Sequence, residues 1–297
     1  EITYGDWSSD VCSSDLGWLD SPALMAASLD RVRTFANSVR KDGFTDVVLL
    51  GMGGSSLAPE VLRAVLGSTP GWPRLHMLDS TDPASVLAIT SDPKTTLFLL
   101  ASKSGTTIEP NSLAAHFIQV LKDAGVARWA DHFVAITDPG TELARRAEAD
   151  GFRETFINPA DIGGRFSALS FFGIVPSALM GQDIGSLIQW GLDMLTEAQM
   201  SSGDPTINPA VGLGLLMAAG AKHGRDKMTL IVPPALEAFG LWVEQLVAES
   251  TGKQGVGVVP IAGERLEGPD AYRTDRTFVR LRVPGDPSES ARDAGVA

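Results

Sequence analysis

Strand-like and helix-like segments alternate along the first half of this chain, and this alternation restricts the fold more than any other sequence feature. An apolar repeat at helical spacing from Ala23 to Arg40 leads, after the polar turn KDGFTD, into the apolar run Val47 to Leu50. Alternation of this kind predicts an α/β domain with a doubly wound parallel sheet, which we place at residues 17–160. The strand-like segments that follow are RLHMLD (74–79), TLFLLAS (96–102), HFVAIT (132–137) and ETFIN (154–158), and the helix-like segments lie near 57–66, 83–90, 110–124 and 140–150.

The pattern changes after residue 160. Long helical stretches with few strand signals predict a helical bridge over residues 161–226. A strand in KMTLIVPP (227–234), a helix from about Leu236 to Ser250 and the strand-like segments GVGVVPIAG and RTFVRLRV then predict a second α/β domain over residues 227–297. We expect this second domain to be truncated, because so few strands cannot bury a doubly wound sheet.

The composition excludes several classes of partner. With 297 residues, 44% of them hydrophobic, the chain can bury a substantial core. A net charge of −12 argues against binding to nucleic acid or to an anionic membrane, so that an anionic ligand needs a local site. We find no apolar run long enough for a membrane span and no leader pattern, and therefore expect a cytoplasmic protein.

The segment DWSSDVCSSDL, from Asp6 to Leu16, resembles the in-frame translation of a sequencing adapter. We interpret residues 1–16 as an artefact and expect the native sequence to begin near Gly17, with the preceding part of the parent gene missing. The lone cysteine, Cys12, lies in this segment and is therefore not considered as a nucleophile.

The loop GMGGSS, from Gly51 to Ser56, joins a predicted buried strand to a helix. Glycines at such a turn let a ligand approach the backbone, and the amide groups of the following helix attract an anion. A dinucleotide fingerprint requires a third glycine at position 56, where this chain has serine, although Asp79 at the end of the next strand keeps a nicotinamide site open. A tight turn with Ser56 as helix cap is the structural alternative.

The loop SKSGTT, from Ser102 to Thr107, follows another predicted strand. Its four hydroxyl groups, its lysine and the amides of the next helix suit a phosphomonoester. The structural alternative is a capping box formed by Thr106 and Glu109.

Five segments occur in an order and spacing that resemble the phosphoglucose isomerase family over about Phe44 to Val283: GMGGSSLAPE, LDSTDP, SKSGTTIEP, GGRFSALS and QLVAESTGK. The resemblance implies the sugar-isomerase (SIS) fold and interconversion of glucose 6-phosphate and fructose 6-phosphate through a cis-enediol. The proline in the first segment and the serine–glycine pair in the second loop are similar to the isomerase half of bifunctional transaldolase/phosphoglucose isomerases.

The resemblance assigns roles to individual residues. It implies that the SKSGTT loop binds phosphate and that the glycine loop binds sugar, through Ser102, Lys103, Ser104, Thr106 and Thr107 in the former and Gly53, Gly54 and Ser55 in the latter. Arg165 matches the arginine that faces the developing enediolate, and Glu249 matches the base that moves the proton between C1 and C2. From the residues alone, a surface arginine in a glycine turn and a solvated glutamate at a helix end remain the alternatives.

The chain departs from the family at two positions. The histidine and the lysine that help to open the sugar ring have no matching motif, since all four histidines precede Glu249. We therefore expect the chain as given to lack full isomerase activity. The resemblance implies a small sugar phosphate as partner, no cofactor, and a homo-oligomer in the intact parent, and no residue spacing favours a metal site. A non-catalytic SIS module that binds a phosphosugar and a nicotinamide dehydrogenase are the competing functions.

Overall fold

A computed structural model describes residues 16–200, 204 and 206–285, with the side chain of Met200 left out. The chain divides into two compact units, Glu1–Leu192 and Asp193–Ala297. The adapter-like segment lies outside the described residues except for Leu16, which forms an antiparallel bridge with Ile162. Within the described ranges, no helix is both long and apolar enough to cross a membrane.

The first unit contains a five-stranded parallel sheet in the order β2-β1-β3-β4-β5. The doubly wound α/β prediction is thus confirmed for this unit. The observed strands agree with the predicted segments to within one or two residues. They are β1 (Asp46–Gly51), β2 (Arg74–Leu78), β3 (Thr96–Ala101), β4 (Phe133–Thr137) and β5 (Glu154–Ile157). Helix α1 (Ser21–Lys41) precedes β1, and the helices between the strands are α2 (Leu57–Leu66), α3 (Pro83–Leu87), α4 (Ile108–Asp123) and α5 (Glu142–Asp150).

The sheet is covered on both faces, which explains why its strands are almost continuously apolar. Alternate residues of one strand enter different cores: Val47 and Leu49 pack with α1 and with helix α6 (Phe171–Leu179), whereas Val48 and Leu50 pack with α4 and α5. All four of these strand residues are at most 1% exposed. The central strands are therefore held rigidly, and loops at their ends begin from fixed positions.

The first unit extends beyond residue 160, the end of the first domain predicted from the sequence. Helix α6 and the first half of helix α7 (Ile184–Met200) bury Ile174, Val175 and Ile188 in the same core as the sheet. The unit boundary at Leu192 therefore falls inside the stretch that the sequence predicts as a helical bridge.

The second unit contains a three-stranded parallel sheet in the order β7-β6-β8. Its small core is formed around Met228, Leu230 and Val247, with Met217 and Val243 packed against it. The observed elements match the predicted strand, helix and strands of this region. They are helix α8 (Pro209–Lys222), β6 (Lys227–Ile231), helix α9 (Glu237–Thr251), β7 (Val259–Ile261) and β8 (Arg276–Arg280).

The four histidines make structural contacts. His132 and His223 bond backbone carbonyl groups through Nδ1, at 2.9 Å from Thr96 O and 2.8 Å from Ala219 O. His116 packs edge-on against Phe117, and Nε2 of His76 lies 2.7 Å from Asp46. Each of the four histidines therefore has a partner within the fold.

A buried carboxylate lies at the amino-terminal edge of the first sheet. Asp46 has only 2% of its side chain exposed and contacts His76, Arg74 and Thr45. Burial raises the pKa of Asp46. The hydrogen bonds from these three side chains together lower the pKa by more than burial raises it, so that the pKa lies below its ordinary value. A carboxyl group with a lowered folded-state pKa stabilises the fold above its unfolded pKa, and this contribution is lost as the pH falls through the folded value.

We expect Asp46→Asn to lower the free energy of unfolding at about pH 7 by about 1–3 kcal/mol, because it removes the charged acceptor of this network. The difference from the parent chain should shrink below about pH 4, the region in which an unperturbed aspartate is protonated. Urea unfolding between neutral pH and about pH 3 measures this, with the exposed Asp79→Asn as control. A constant difference across that range would contradict the assignment.

Candidate active site

The two loops of interest follow adjacent strands. β1 and β3 pair in parallel with Gly51 opposite Ala101, so that the glycine loop and the SKSGTT loop begin side by side. The sequence pattern predicts that Gly51 and Ser102 lie at the carboxyl ends of adjacent or near-adjacent strands, since open α/β sheets bind ligands at that edge. The β1–β3 pairing confirms this prediction. The chain runs from β1 outward to β2 on one side and from β3 outward to β4 on the other, and such a switch point is where open α/β sheets bind ligands.

An open cleft of about 530 Å³ lies where these loops meet. Both loops contribute to it, together with the turn after β4 and the segment that follows β5. Its walls are formed by Met52, Gly54, Ser55, Lys103, Ser104, Thr107, Asp138, Pro139, Thr141, Ala160 and Gly164.

The glycine loop packs directly on the GGRFS segment. Gly53–Ser55 and Gly164–Leu169 are both short 3₁₀ helices, and a Cβ atom on Gly54 would lie 2.6 Å from the carbonyl oxygen of Gly164. The hydroxyl of Ser167 donates to the carbonyl oxygens of Gly54 and Gly164, at 2.9 and 2.6 Å. Glycine is therefore required at position 54 by close backbone approach.

Ser56 occupies the position before α2, as the capping alternative requires, but its side chain makes no capping bond to the helix. Its hydroxyl donates instead to the carbonyl oxygen of Gly53 at 3.1 Å. Ser56 therefore fixes the glycine loop rather than the helix end.

Hydroxyl groups cluster in the SKSGTT loop. Thr107 Oγ1 lies 3.2 Å from Ser102 Oγ and 3.5 Å from Ser104 Oγ, and Ser102 Oγ also accepts from the backbone amide of Gly105 at 3.1 Å. Ser102 is 2% exposed, whereas Ser104 and Thr107 line the cleft. Ser102 thus shapes the loop from within, and Ser104 and Thr107 lie at the cleft wall.

The capping-box alternative is not what the structure shows. Helix α4 begins at Ile108 with Thr107, not Thr106, at its cap position, and Thr107 makes no side-chain capping bond. The amides of the first helical turn are therefore not bonded by that side chain. An uncapped, positively polarised helix end beside two hydroxyls suits an anion.

Thr106 lines a different groove from Ser104 and Thr107. Its side chain lines a separate groove with Ile108, Glu142 and Arg146, and its hydroxyl donates to Ser104 Oγ at 3.1 Å. The structure thus brings Ser104 and Thr107 to the cleft and leaves Thr106 beside it.

Lys103 is held by two oxygen atoms. Its ammonium group lies 2.6 Å from Asp138 Oδ2 and 2.8 Å from the carbonyl oxygen of Ala160. Lys103 therefore joins the loop after β3 to the turn after β4 and to the segment after β5, and it brings a charge to the cleft wall that Asp138 partly compensates.

Sequence reasoning missed Asp138 and Asn111. Asp138 follows β4 at the carboxyl edge of the sheet, where a polar residue is a recognisable signal. Asn111 lies in the first turn of α4 and donates to the carbonyl oxygens of Gly105 and Thr107, at 3.1 and 2.9 Å. No local pattern distinguishes this asparagine from an ordinary helix residue.

The two proposed catalytic residues lie in different units. Arg165 follows Gly164 at the cleft wall, and its guanidinium carbon lies 4.6 Å from the centre of the Phe166 ring. Glu249 is exposed near the carboxyl end of α9, where Gln245 Nε2 donates to its Oε2 at 3.3 Å. Gly252 follows the last residue of that helix as its cap, with a φ of −75°, outside the left-handed region.

A family model described as phosphoglucose isomerase matches residues 19–261. The chain belongs to the phosphoglucose isomerase family. The glucose-6-phosphate isomerase of Thermosynechococcus vestitus is 38% identical to it over 219 residues, which cover 71% of this chain and 40% of that protein. The chain spans about half the length, or less, of such curated relatives.

Solved structures agree with this membership. A hypothetical protein from Thermus thermophilus is 30% identical, with a TM-score of 0.79 over 97% of this chain and 72% of that chain. A glucose-6-phosphate isomerase from Chlamydia trachomatis is 24% identical, with a TM-score of 0.68 over 83% of this chain and 53% of that chain, and shows the common fold. The resemblance of the five motifs to the phosphoglucose isomerase family is confirmed, as is the SIS-type fold.

Proposed function

We propose that this chain is part of a glucose-6-phosphate isomerase that interconverts glucose 6-phosphate and fructose 6-phosphate through a cis-enediol. The observation that carries the proposal is the cleft at the switch point, where a glycine loop and a hydroxyl-rich loop meet in a member of the phosphoglucose isomerase family. Neither loop alone would distinguish a sugar phosphate from another anion.

In this proposal the phosphate group binds Ser104, Thr107 and the amides at the start of α4. Hydroxyl and amide donors suit a dianion. Lys103 adds a positive charge to the cleft wall, where its ammonium group is held 2.6 Å from Asp138 Oδ2. Ser102 keeps these donors in place from its buried position. The sugar lies along the glycine loop, where Gly54 and Ser55 form the cleft wall.

The chemical step needs a base and a stabiliser for the enediolate. We assign the base to Glu249, which takes the proton from one carbon and returns it to the neighbouring carbon. Arg165, a planar donor that is always charged, stabilises the two oxygens on which negative charge develops. A binding module without catalysis would need neither residue.

The phosphate assignment is tested by Thr107→Ala with Thr106→Ala as its matched control. We expect Thr107→Ala to weaken binding of glucose 6-phosphate by roughly 10- to 100-fold, because a hydrogen bond to a charged group contributes about 1.5–3 kcal/mol. Thr106→Ala should weaken binding less than Thr107→Ala, because Thr106 lines the neighbouring groove and acts on the cleft only through its hydrogen bond to Ser104 Oγ at 3.1 Å. Calorimetric titration of both variants measures this, and equal losses would contradict the assignment.

We further propose that the intact protein containing this chain is a cytoplasmic homo-oligomer. We also propose that it binds neither nucleic acid nor membranes, which the net charge of −12 supports. The proline at position 59 and the pair Ser104–Gly105 support an origin in the isomerase half of a transaldolase fusion. The three strands of the second unit support a truncated second SIS domain. Sequencing the gene on both sides of this chain tests the last two proposals.

A further inference from the structure

A short 3₁₀ helix, Gly17–Leu19, precedes α1 and packs against residues 161–166, the segment that contains Arg165. The backbone amide of Gly17 donates to the carbonyl oxygen of Asp161 at 3.0 Å. The indole of Trp18 stacks on the ring of Phe166, with ring centres 5.5 Å apart and planes inclined by 16°. Contact at both the backbone and the rings places this helix against residues 161–166.

Phe166 contacts a second group. The guanidinium carbon of Arg165 lies 4.6 Å from the centre of the same ring, within the range of a cation–π interaction. Trp18, Phe166 and Arg165 therefore form one stack, in which the indole restricts the ring and the ring restricts the guanidinium group.

The stack is attached to a rigid element. Trp18 is followed directly by α1, whose residues Met25 and Val32 are each 1% exposed in the main core. The Arg165 segment is a short 3₁₀ helix that is bonded to the glycine loop through the hydroxyl of Ser167, at 2.9 Å from Gly54 O, while its Phe166 ring stacks on Trp18. Catalytic groups act well only when neighbouring packing fixes their orientation.

We propose that Trp18 is a positioning residue that holds Arg165, through Phe166, in the orientation that stabilises the enediolate. This inference rests on the proposed function, because it takes the role of Arg165 from there. It adds a residue that lies outside all five sequence motifs and contacts the reacting atoms only through two other side chains.

The test compares two phosphorylated six-carbon ligands on the chain as it exists. A phosphorylated aldonate carries a carboxylate where the enediolate oxygens form, whereas the matching alditol phosphate is neutral at that end. We expect the unsubstituted chain, called the parent chain in this comparison, to bind the aldonate more tightly than the alditol by roughly 10-fold or more. This is the preference that a charge-assisted hydrogen bond provides. Arg165→Gln should abolish this preference and thereby calibrate the measurement.

Trp18→Ala is expected to lose most of the preference for the aldonate while its affinity for the alditol phosphate stays within about 2-fold of the parent. Trp18→Phe keeps a stacked ring and should retain the preference. A variant that merely destabilised the fold would weaken both ligands together, so the ratio of the two dissociation constants separates the roles. If Trp18→Ala does not fold, Trp18→Leu, which fills the site without an aromatic face, should show the same selective loss.

If Trp18→Ala or Trp18→Leu kept the preference for the aldonate, the positioning role of Trp18 would be overturned and the proposed function would stand. Failure of the parent chain to bind either ligand would overturn the proposed sugar-phosphate site, and this inference with it. Equal binding of both ligands by the parent chain would overturn the role of Arg165 from which the inference starts.

Discussion

Glu249→Gln, introduced into a full-length protein that contains this chain, is expected to lower turnover of glucose 6-phosphate by roughly 10²–10⁴-fold. Glutamine keeps the shape and the hydrogen-bonding reach of the side chain but cannot accept the proton from carbon. Binding of the sugar phosphate should persist, because phosphate and sugar are held by loops of the other unit. Steady-state kinetics together with calorimetric titration separate these two quantities.

The matched control is Glu244→Gln on the same helix. Glu244 and Glu249 are both exposed on α9, so both substitutions remove one negative charge from similar surroundings. We expect Glu244→Gln to change turnover by less than about 2-fold. Near-normal turnover of Glu249→Gln would reject Glu249 as the carboxylate base. Absence of turnover in the unsubstituted full-length protein would instead favour a non-catalytic phosphosugar-binding module.

The same measurement addresses the chain as given. We expect purified residues 17–297 to lack full isomerase activity, since the ring-opening histidine and lysine have no matching motif in the sequence. Robust turnover that is abolished by Glu249→Gln would show that this expectation is wrong and that the base assignment is right.

The second large effect is expected from Gly54→Ala. A methyl group at this position would meet the backbone of Gly164 at 2.6 Å from its carbonyl oxygen and 2.7 Å from its Cα. Because the obstacle is backbone rather than the end of a flexible side chain, one of the two loops must move. We expect the free energy of unfolding to fall by about 1–3 kcal/mol or more, and binding of glucose 6-phosphate to be lost.

Gly164→Ala provides the reciprocal control at the same contact. A Cβ atom on Gly164 would lie 3.6 Å from the Cα of Gly54, an ordinary van der Waals distance. We expect this variant to unfold within about 0.5 kcal/mol of the parent chain. Chemical denaturation and phosphate-ester binding of both variants test the pair, and equal stability of the two variants would contradict the observed loop contact.

Hydrophobic periodicity predicted most of the fold from the sequence. Strands such as Val47 to Leu50 are buried on both faces and therefore read as unbroken apolar runs, whereas α1 shows a helical repeat because only one of its faces is buried. The positions of the two ligand loops also followed from the sequence, since loops after adjacent parallel strands must emerge at one edge of the sheet. The boundary of the first unit did not, because α6 and α7 look like any other apolar helices until the core that they cover is known.

The sequence by itself thus determined the parallel sheet, the order of its elements along the chain, and the two loops that line the cleft, because each depends on local residue pattern. Only the tertiary structure decided which side chains of those loops reach the cleft. Thr106 and Thr107 are neighbours with the same hydroxyl group, yet only Thr107 lines the cleft. Asp138 lies 35 residues from Lys103 and Trp18 lies far from Phe166 along the chain, so that no local pattern could join these pairs. Such partnerships arise where distant segments pack together, and packing depends on the whole chain at once.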